Sequence, residues 1–120
     1  MASGDARRLG RRAEEKALEA YGLEPDRTSW RDGVYKNGVP VEVKASQRSS
    51  RYFRLWADEH HRLASQQGYY VFVLYRPRGT GVEIIRMKRV RASDLSPRWS
   101  ASGHAEKRQL QAYIPHDDVM

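Results

Sequence analysis

Apolar residues near the start of the chain recur at the three- or four-residue spacing of an amphipathic helix. They are Leu9, Ala13, Ala17, Ala20 and Tyr21. Gly22 and Pro25 follow them, and both residue types commonly end helices. The pattern therefore predicts an opening helix that stops before Pro25.

The next segment alternates between apolar and polar residues, as a half-buried strand does. Valines occupy every second position from 39 to 43, and the pair Asn37-Gly38 precedes them. Asn-Gly is the strongest short signal for a β-hairpin. We therefore predict a first strand over 28–35 that folds back onto a valine-rich second strand. Pro40 cannot donate a ladder hydrogen bond, which places it at the start of that strand or on an open edge.

Four further elements are predicted from periodicity and turn residues. They are a loop or short strand over 46–55, a helix over 56–68, a buried strand over 69–77 and an alternating strand over 82–90. The segment 69–77 is the most apolar run and should form the central strand. Beyond Val90 the pattern weakens, with one short strand expected at 109–114.

The order helix, hairpin, helix, hairpin indicates an α/β protein with a mixed β-sheet flanked by helices. A chain of 120 residues without repeats or a long linker is the size of one domain. We therefore expect a single domain over 1–120, with 91–120 as a C-terminal extension.

Composition limits the cellular compartment and the kind of binding partner that we expect for this protein. There are no cysteines, which excludes disulfides and thiolate zinc sites and fits the cytoplasm. No apolar run approaches the roughly 18 residues of a membrane span, so no membrane partner is expected. Lys and Arg number 22 against 15 acids, a formal charge of +7. Guanidinium groups suit phosphates, which favours a nucleic acid over a basic surface without a partner, but does not separate binding from cleavage.

The valine-rich strand carries two charged residues on its other face. Glu42 and Lys44 are two positions apart and therefore project side by side. Taken alone, a solvent-exposed ion pair explains them. The preceding strand, however, ends near Asp32, and the hairpin would bring this second carboxylate towards Glu42. Two acids beside a lysine favour a hard, oxygen-preferring ion such as Mg²⁺, with Lys44 activating a water or stabilising charge on a phosphate.

The opening helix offers a third acid. At about 100° per residue, Glu14 falls at the edge of the apolar stripe, whereas Glu15 and Glu19 point to solvent. An acid at the rim of a buried face is either a surface residue or a ligand. With Asp32 and Glu42 expected nearby, we interpret Glu14 as a ligand.

The ordered set of Glu14, Asp32, nine intervening residues and then Glu42-Val43-Lys44 resembles the PD-(D/E)XK nuclease superfamily, the restriction-endonuclease-like fold. The opening Gly10, Ala13 and Glu14 are also similar to archaeal-type Holliday junction resolvases. The resemblance covers residues 10–75 and implies an αβββαβ core whose third strand is the 51–55 segment. It further implies that Asp32 and Glu42 bind the metal, that Lys44 is the catalytic lysine and that Glu14 is the helix acid.

Residues just after Lys44 are the candidates for nucleic-acid contact. They are Ser46, Gln47, Arg48, Arg51 and Arg54, with Arg11 on the first helix. Arginines interleaved with aromatic residues contact phosphates and can stack on bases. For Ser46 and Gln47, a role in capping the strand end is an equal alternative. For Tyr52 and Phe53, packing in the core is the alternative, so the arginines carry more weight.

The histidines are less informative. His60 and His61 are adjacent on a predicted helix, so they diverge and cannot share one ion; one should pack and the other face solvent. His116 to Asp118 lack the spacing of a metal cluster and are interpreted as a mobile polar tail.

These observations predict an endonuclease that uses Mg²⁺, or Mn²⁺ in its place, to hydrolyse phosphodiester bonds, with DNA as the favoured substrate and branched DNA as one form of it. A domain of this size covers little of a duplex, which favours a homodimer. The alternative is a nucleic-acid-binding module that keeps the fold and does not cut. A structural protein would be favoured only if the arginines proved scattered.

Overall fold

The protein is described here by a computed structural model covering residues 2–26, 31–101 and 110–120. The helices in these ranges are α1 (Ala2–Ala20), α2 (Ala57–Ser65) and α3 (His116–Val119). The strands are β1 (Glu24–Pro25), β2 (Gly33–Val34), β3 (Pro40–Gln47), β4 (Tyr52–Trp56), β5 (Tyr69–Arg78), β6 (Gly81–Arg91), β7 (Ser100–Ala101) and β8 (Leu110–Pro115). None of the described helices has the length and apolarity to cross a membrane.

The main sheet has five strands in the order β1-β2-β3-β5-β6. Strands β3 and β5 run parallel, with Val43 opposite Val71, and the other neighbours are antiparallel. A parallel pair needs a crossover connection, and β4 with α2 supplies it. The predicted α/β class with a mixed sheet is confirmed. So are the opening helix, the helix within 56–68 and the buried strand at 69–77.

Helix α1 covers one face of the main sheet because its inward stripe is small and apolar. Ala13 and Ala17 are fully buried against Val41 and Val43 of β3, together with Leu18. Gly33 shows how closely the helix approaches β2: an added Cβ would lie 2.7 Å from the Leu18 side chain and 3.2 Å from a backbone oxygen. This face is an apolar core.

The opposite face of the sheet is covered by α2 and by a second, three-stranded sheet with the order β4-β8-β7. Tyr70 and Phe72 of β5 pack there against Phe53 and Leu55 of β4 and Leu63 of α2. The third strand of the implied αβββαβ core therefore exists at 52–56, but it pairs with β8 in this second sheet instead of extending the main one.

The hairpin before β3 is shorter than its sequence pattern suggests. Its described strand is β2, which begins at Gly33, and residues 28–30 of the predicted first strand lie outside the described part of the chain. The turn closes through a hydrogen bond from Gly38 N to Tyr35 O, with Gly38 at a φ of 88° that suits glycine. Pro40 begins β3, as predicted.

The interpretation of His116 to Asp118 as a mobile tail is wrong. These residues form α3, and His116 is buried with its Nε2 atom 2.8 Å from the Ser46 hydroxyl. Strand β8 pairs with β4 along five residues and delivers α3 to this position, because Ile114 and Val119 belong to the core of the second sheet. The polar sequence of residues 116–118 contains no local signal that these residues pack against the core.

Candidate active site

Strand β3 turns one face towards α1 and the other towards α2. Val41 and Val43 belong to the α1 core, so Glu42, Lys44 and Ser46 project to the other side. The Lys44 ammonium lies 3.8 Å from Oε2 of Glu42. Glu42 is only 6% exposed, which is unusual for a carboxylate and rules out a solvent-exposed pair.

Asp32 is fixed against the same stretch of β3 by backbone bonds. Its own N–H donates to Val41 O at 2.9 Å, and Val43 N–H donates to its Oδ2 atom at 2.9 Å. The carboxylate thus takes the place of a backbone carbonyl where the pairing of β2 with β3 ends. The same carboxyl group is close enough to Glu42 to raise the pKa of Glu42. The structure therefore brings Asp32, Glu42 and Lys44 together, as the hairpin suggests.

A fourth charged residue, Glu59 of α2, joins this cluster. Its Oε1 atom lies 3.8 Å from the Lys44 ammonium, and its proximity to Glu42 contributes to raising the pKa of Glu42. Glu59 was not among the residues selected from the sequence. A signal was present, because Glu59 is four positions before the buried Leu63 and so shares its face of the helix. The ammonium of Lys44 is therefore 3.8 Å from an acidic side chain of β3 and 3.8 Å from another of α2.

The crowding of acids changes the protonation of Glu42. Burial, the hydrogen bond to Asp32, the charge of Asp32 and the contact with Glu59 together raise the pKa of Glu42 to about 10, and Lys44 offsets this only in part. The carboxyl group therefore holds a proton at neutral pH and donates it to a neighbouring carboxylate. A cation at this point would take over the role of that proton.

The chemistry of the cluster fits a hard divalent ion. Its donors are all carboxylate oxygens, and acids that must share a proton in the absence of a cation are suited to sharing a metal. No group of three or more Asp, Glu, His or Cys side chains over 2–26, 31–101 and 110–120 forms a ready metal-binding set. An ion held by Asp32 and Glu42 would be completed by water or phosphate oxygens, which is the usual environment of Mg²⁺.

A cleft of about 470 Å³ adjoins Lys44. It runs from the end of β3 over the outer face of β4, where the Arg54 guanidinium lies 4.9 Å from the centre of the Trp56 ring. Gln47 lines its wall, and the Ser46 hydroxyl, which also lines it, donates to Tyr52 O at 2.7 Å. The cleft gives a ligand direct access to Lys44.

The other predicted nucleic-acid contacts, Arg11, Arg48 and Arg51, do not line this cleft. Arg48 and Arg51 are exposed on or beside the short 3₁₀ helix Arg48–Ser50 that joins β3 to β4, and Arg11 is exposed on α1. Part of the arginine excess is used elsewhere: Arg76 pairs with Glu83, and Arg89 lies over the Tyr69 ring. The basic residues near the cleft are thus one group among several.

Glu14 is on the helix that covers the opposite face of the main sheet from Glu42 and Lys44. It is half-buried on α1, which packs against the Val41 and Val43 face of β3, and its charge helps to raise the pKa of Tyr75 after burial has raised it first. The hydroxyl of Tyr75 is also close to α1, 3.7 Å from where a Cβ on Gly10 would be. The assignment of Glu14 as a metal ligand stays a prediction.

The two adjacent histidines of α2 diverge, as expected. His60 is buried and its Nδ1 atom lies 2.9 Å from the hydroxyl of Tyr70, whereas His61 is exposed. Burial lowers the pKa of His60. This residue therefore supports the core beneath the carboxylate cluster.

An acid at a strand end, followed by an acid and a lysine two positions apart on the next strand, defines a class of α/β protein with a restriction-endonuclease-like core. Comparison with known families agrees with this class. A model of the PD-(D/E)XK nuclease superfamily domain matches residues 1–120, and the chain belongs to that superfamily. A search of curated proteins gives no match. The predicted superfamily is confirmed, while the similarity to junction resolvases stays a prediction.

Proposed function

We propose that the protein is a divalent-metal-dependent nuclease that hydrolyses phosphodiester bonds in DNA, with its reaction centre at Asp32, Glu42 and Lys44. Membership of a nuclease superfamily supports phosphodiester hydrolysis. The observation that carries the assignment of residues is the position of Lys44: its ammonium is 3.8 Å from an acidic oxygen of Glu42 and of Glu59, and it lines an open cleft.

Asp32 and Glu42 are the residues that would hold the ion, with Mg²⁺ the favoured species and Mn²⁺ able to replace it. When bound, such an ion polarises a phosphate oxygen and lowers the pKa of a coordinated water. Glu42 must lose its proton for this purpose, so metal binding should release a proton at neutral pH. Glu59 adds negative charge at the same point, and Glu14 is retained as a predicted outer ligand.

Lys44 is the residue that acts on the phosphate. Water attacks phosphorus and loses a proton to solvent, and a new P–O bond forms as the P–O bond to the departing oxygen breaks. The departing oxygen takes up a proton from solvent. The ammonium group has three donors, so it can orient the attacking water and stabilise the charge that develops on a phosphate oxygen. Glu42 and Glu59 fix the ammonium between them, which reduces the reorganisation needed at the moment of reaction.

The arginines at the cleft supply affinity for the phosphate backbone. Arg54 lines the cleft directly, and Arg48, Arg51 and Arg11 extend the positive surface. Such contacts release counterions, so affinity should fall steeply with salt, and each lost contact should reduce the slope by about 1. Gln47 and Ser46 form the wall beside Lys44, with Ser46 contributing through its bond to Tyr52. A homodimer, which would cover more of a duplex, is part of the same proposal.

The proposal is tested by a cleavage assay on the wild-type protein. Duplex, single-stranded and branched DNA, with RNA of the same sequence, are incubated with Mg²⁺, with Mn²⁺ and with a chelator. We expect hydrolysis of DNA that requires the metal, and proton release on titrating Mg²⁺ into the protein. Sedimentation at several concentrations measures the dimer separately.

Two outcomes would oppose the proposal in different ways. Salt-sensitive DNA binding with no hydrolysis under any metal condition would identify a non-cleaving nucleic-acid-binding module. Hydrolysis at the same rate in the chelator would identify a nuclease that does not need a metal ion. Cleavage of RNA alone would correct the substrate.

A further inference from the structure

Two tyrosines on the outer face of the second sheet are exposed where their neighbours are buried. Tyr52 of β4 is 49% exposed and Tyr113 of β8 is 53% exposed. Their ring centres are 5.8 Å apart, with the planes inclined at 62°. The two strands are paired, so the rings form one continuous aromatic surface across them.

The core does not account for this pair. Along β4 and β8 the alternate positions already fill the interior, with Phe53 at 1% and Ala112 at 2% exposure. Tyr70 and Tyr75 of β5 behave differently, since both are almost completely buried. Of the large apolar side chains that are exposed in the described ranges, these two are the aromatic ones, and they lie together.

Their position relates them to the proposed reaction centre. Both rings line the same cleft as Lys44, and Arg54, which also lines it, is directly opposite Tyr113 in the paired strands. A phosphate held at Lys44 would therefore have its adjoining nucleotide in the part of the cleft with the rings. Aromatic rings beside cationic groups are the combination that binds single strands, because bases stack while phosphates pair with the cations.

We propose that Tyr52 and Tyr113 form a stacking platform for an unpaired nucleobase next to the phosphate at Lys44, which rests on the proposed nuclease function. A base inside a duplex is stacked on its neighbours and cannot reach the rings without leaving the helix. The substrate class is accordingly a strand with at least one unpaired base at the cleavage point: a single strand, a flap, a bulge or a frayed end.

The first test needs no variant and compares two strands with equal numbers of phosphates. Fluorescent single strands of oligothymidine and of an abasic analogue are titrated with the wild-type protein in a chelator, which prevents metal-dependent hydrolysis. Anisotropy measures both affinities. We expect the strand with bases to bind about tenfold more tightly, since stacking on an aromatic residue contributes on that order per base. Equal affinities would overturn the proposal.

A matched set of variants then tests whether Tyr52 and Tyr113 cause the preference for strands with bases. The double variant Tyr52→Leu/Tyr113→Leu should lose the preference for bases, and Tyr52→Phe/Tyr113→Phe should keep it because the rings remain. Ile85→Ala, at an exposed apolar residue of β6, is the control. Affinity for a blunt duplex should change less than about twofold in every variant, since its bases do not reach the rings. A leucine variant that keeps the preference, or loses duplex affinity equally, would contradict the proposal.

Failure of this inference is distinguishable from failure of the nuclease assignment. A wild-type protein that hydrolyses duplex DNA with metal, yet binds abasic and normal strands equally, is a nuclease without the platform. A protein that prefers bases but cleaves no substrate retains the platform and loses the nuclease. Thermal melting of each variant confirms that the sheet is folded.

Discussion

The two faces of strand β3 are both largely shielded from water, and their chemistry is opposite. Val41 and Val43 are 0% and 3% exposed against α1, whereas Glu42, between them in sequence, is 6% exposed on the side of α2. Burying valine stabilises the fold, but burying a carboxyl group beside two others costs free energy. The α1 face of β3 therefore contributes to the stability of the fold, whereas the α2 face carries the charged residues.

This contrast indicates what each face is for. A buried ionisable cluster is weak support for stability, because desolvation offsets the attraction between its members. Clusters of ionisable groups with strongly shifted pKa values, placed at a cleft, are typical of functional sites. We therefore expect substitutions on the α2 face to change activity more than stability, and substitutions on the α1 face to do the reverse.

The largest effect is expected for Asp32→Ala on the polar face. Loss of this carboxylate leaves Glu42 as the single strand ligand, so metal affinity and cleavage should fall together. Several kcal/mol of transition-state stabilisation by the ion corresponds to about a thousandfold or more in turnover. Calorimetric titration with Mg²⁺ and cleavage rates measure the two losses. Intact metal affinity in this variant would show that Asp32 is not a ligand.

The matching substitution on the apolar side of the sheet is Leu18→Ala. Leu18 is 6% exposed and packs into the α1 core, so its removal should lower the free energy of unfolding by about 2–5 kcal/mol. The turnover of the protein that remains folded should stay close to the wild-type value. Denaturant melts and cleavage rates at low temperature separate the two quantities. A loss of turnover without a loss of stability would show that the apolar face does not act mainly on stability.

A smaller, pH-dependent effect is expected for Glu42→Gln in metal-free protein. The folded-state pKa of Glu42 is raised from 4.5 to about 10 by burial and by Asp32 and Glu59, against the opposing charge of Lys44 and with Tyr70 close by. The folded state thus binds the extra proton, and stability is lost as pH rises from about 4.5 towards 10.

Glu42→Gln should remove this slope, making the variant more stable than wild type at pH 8–9 in a chelator. Melting temperatures at pH 7, 8 and 9 measure the difference, and exposed Glu15→Gln is the control. Added Mg²⁺ should stabilise wild type more at pH 9 than at pH 7. Parallel stability curves for wild type and variant would mean that Glu42 is ionised in the folded protein.

The smallest effect is expected for Glu14→Ala. Glu14 is on the helix of the apolar face, and its charge acts on Tyr75, so an outer role should cost about tenfold or less in cleavage. Glu15→Ala, one position away and exposed, should match wild type. A loss as large as that of Asp32→Ala would assign Glu14 to the metal directly and correct the division between the two faces.

Most of the local structure was predictable because its signals are local. The helical spacing of Ala13 and Ala17 and the alternation of the valines predicted α1 and β3, and the Asn-Gly turn brought Asp32 to Glu42. Strand pairing over long distances was not predictable in the same way. The pairing of β4 with β8, and the contact of Ser46 with His116 at a separation of 70 residues, depend on how the core closes.

The candidate site shows the same limit. Asp32, Glu42 and Lys44 follow from one hairpin and one strand, so their proximity could be expected from the sequence. Glu59 required knowledge of which face of α2 meets β3, and that is set by packing of Leu63 in the second core. The stacking residue Tyr113 likewise enters through the β4–β8 pairing, since nothing in its own segment relates it to Lys44.

The proposed action of Lys44 on a phosphate can be measured by substitution. Single-turnover cleavage and DNA affinity are compared for wild type, Lys44→Ala and Lys36→Ala, the last at an exposed lysine of the hairpin turn. We expect Lys44→Ala to lose about 10²–10³-fold in cleavage rate while its DNA affinity changes little, and we expect Lys36→Ala to resemble wild type. Cleavage by Lys44→Ala at the wild-type rate would contradict a role of Lys44 in the reaction. Glu42 and Lys44 would then be only a buried ion pair.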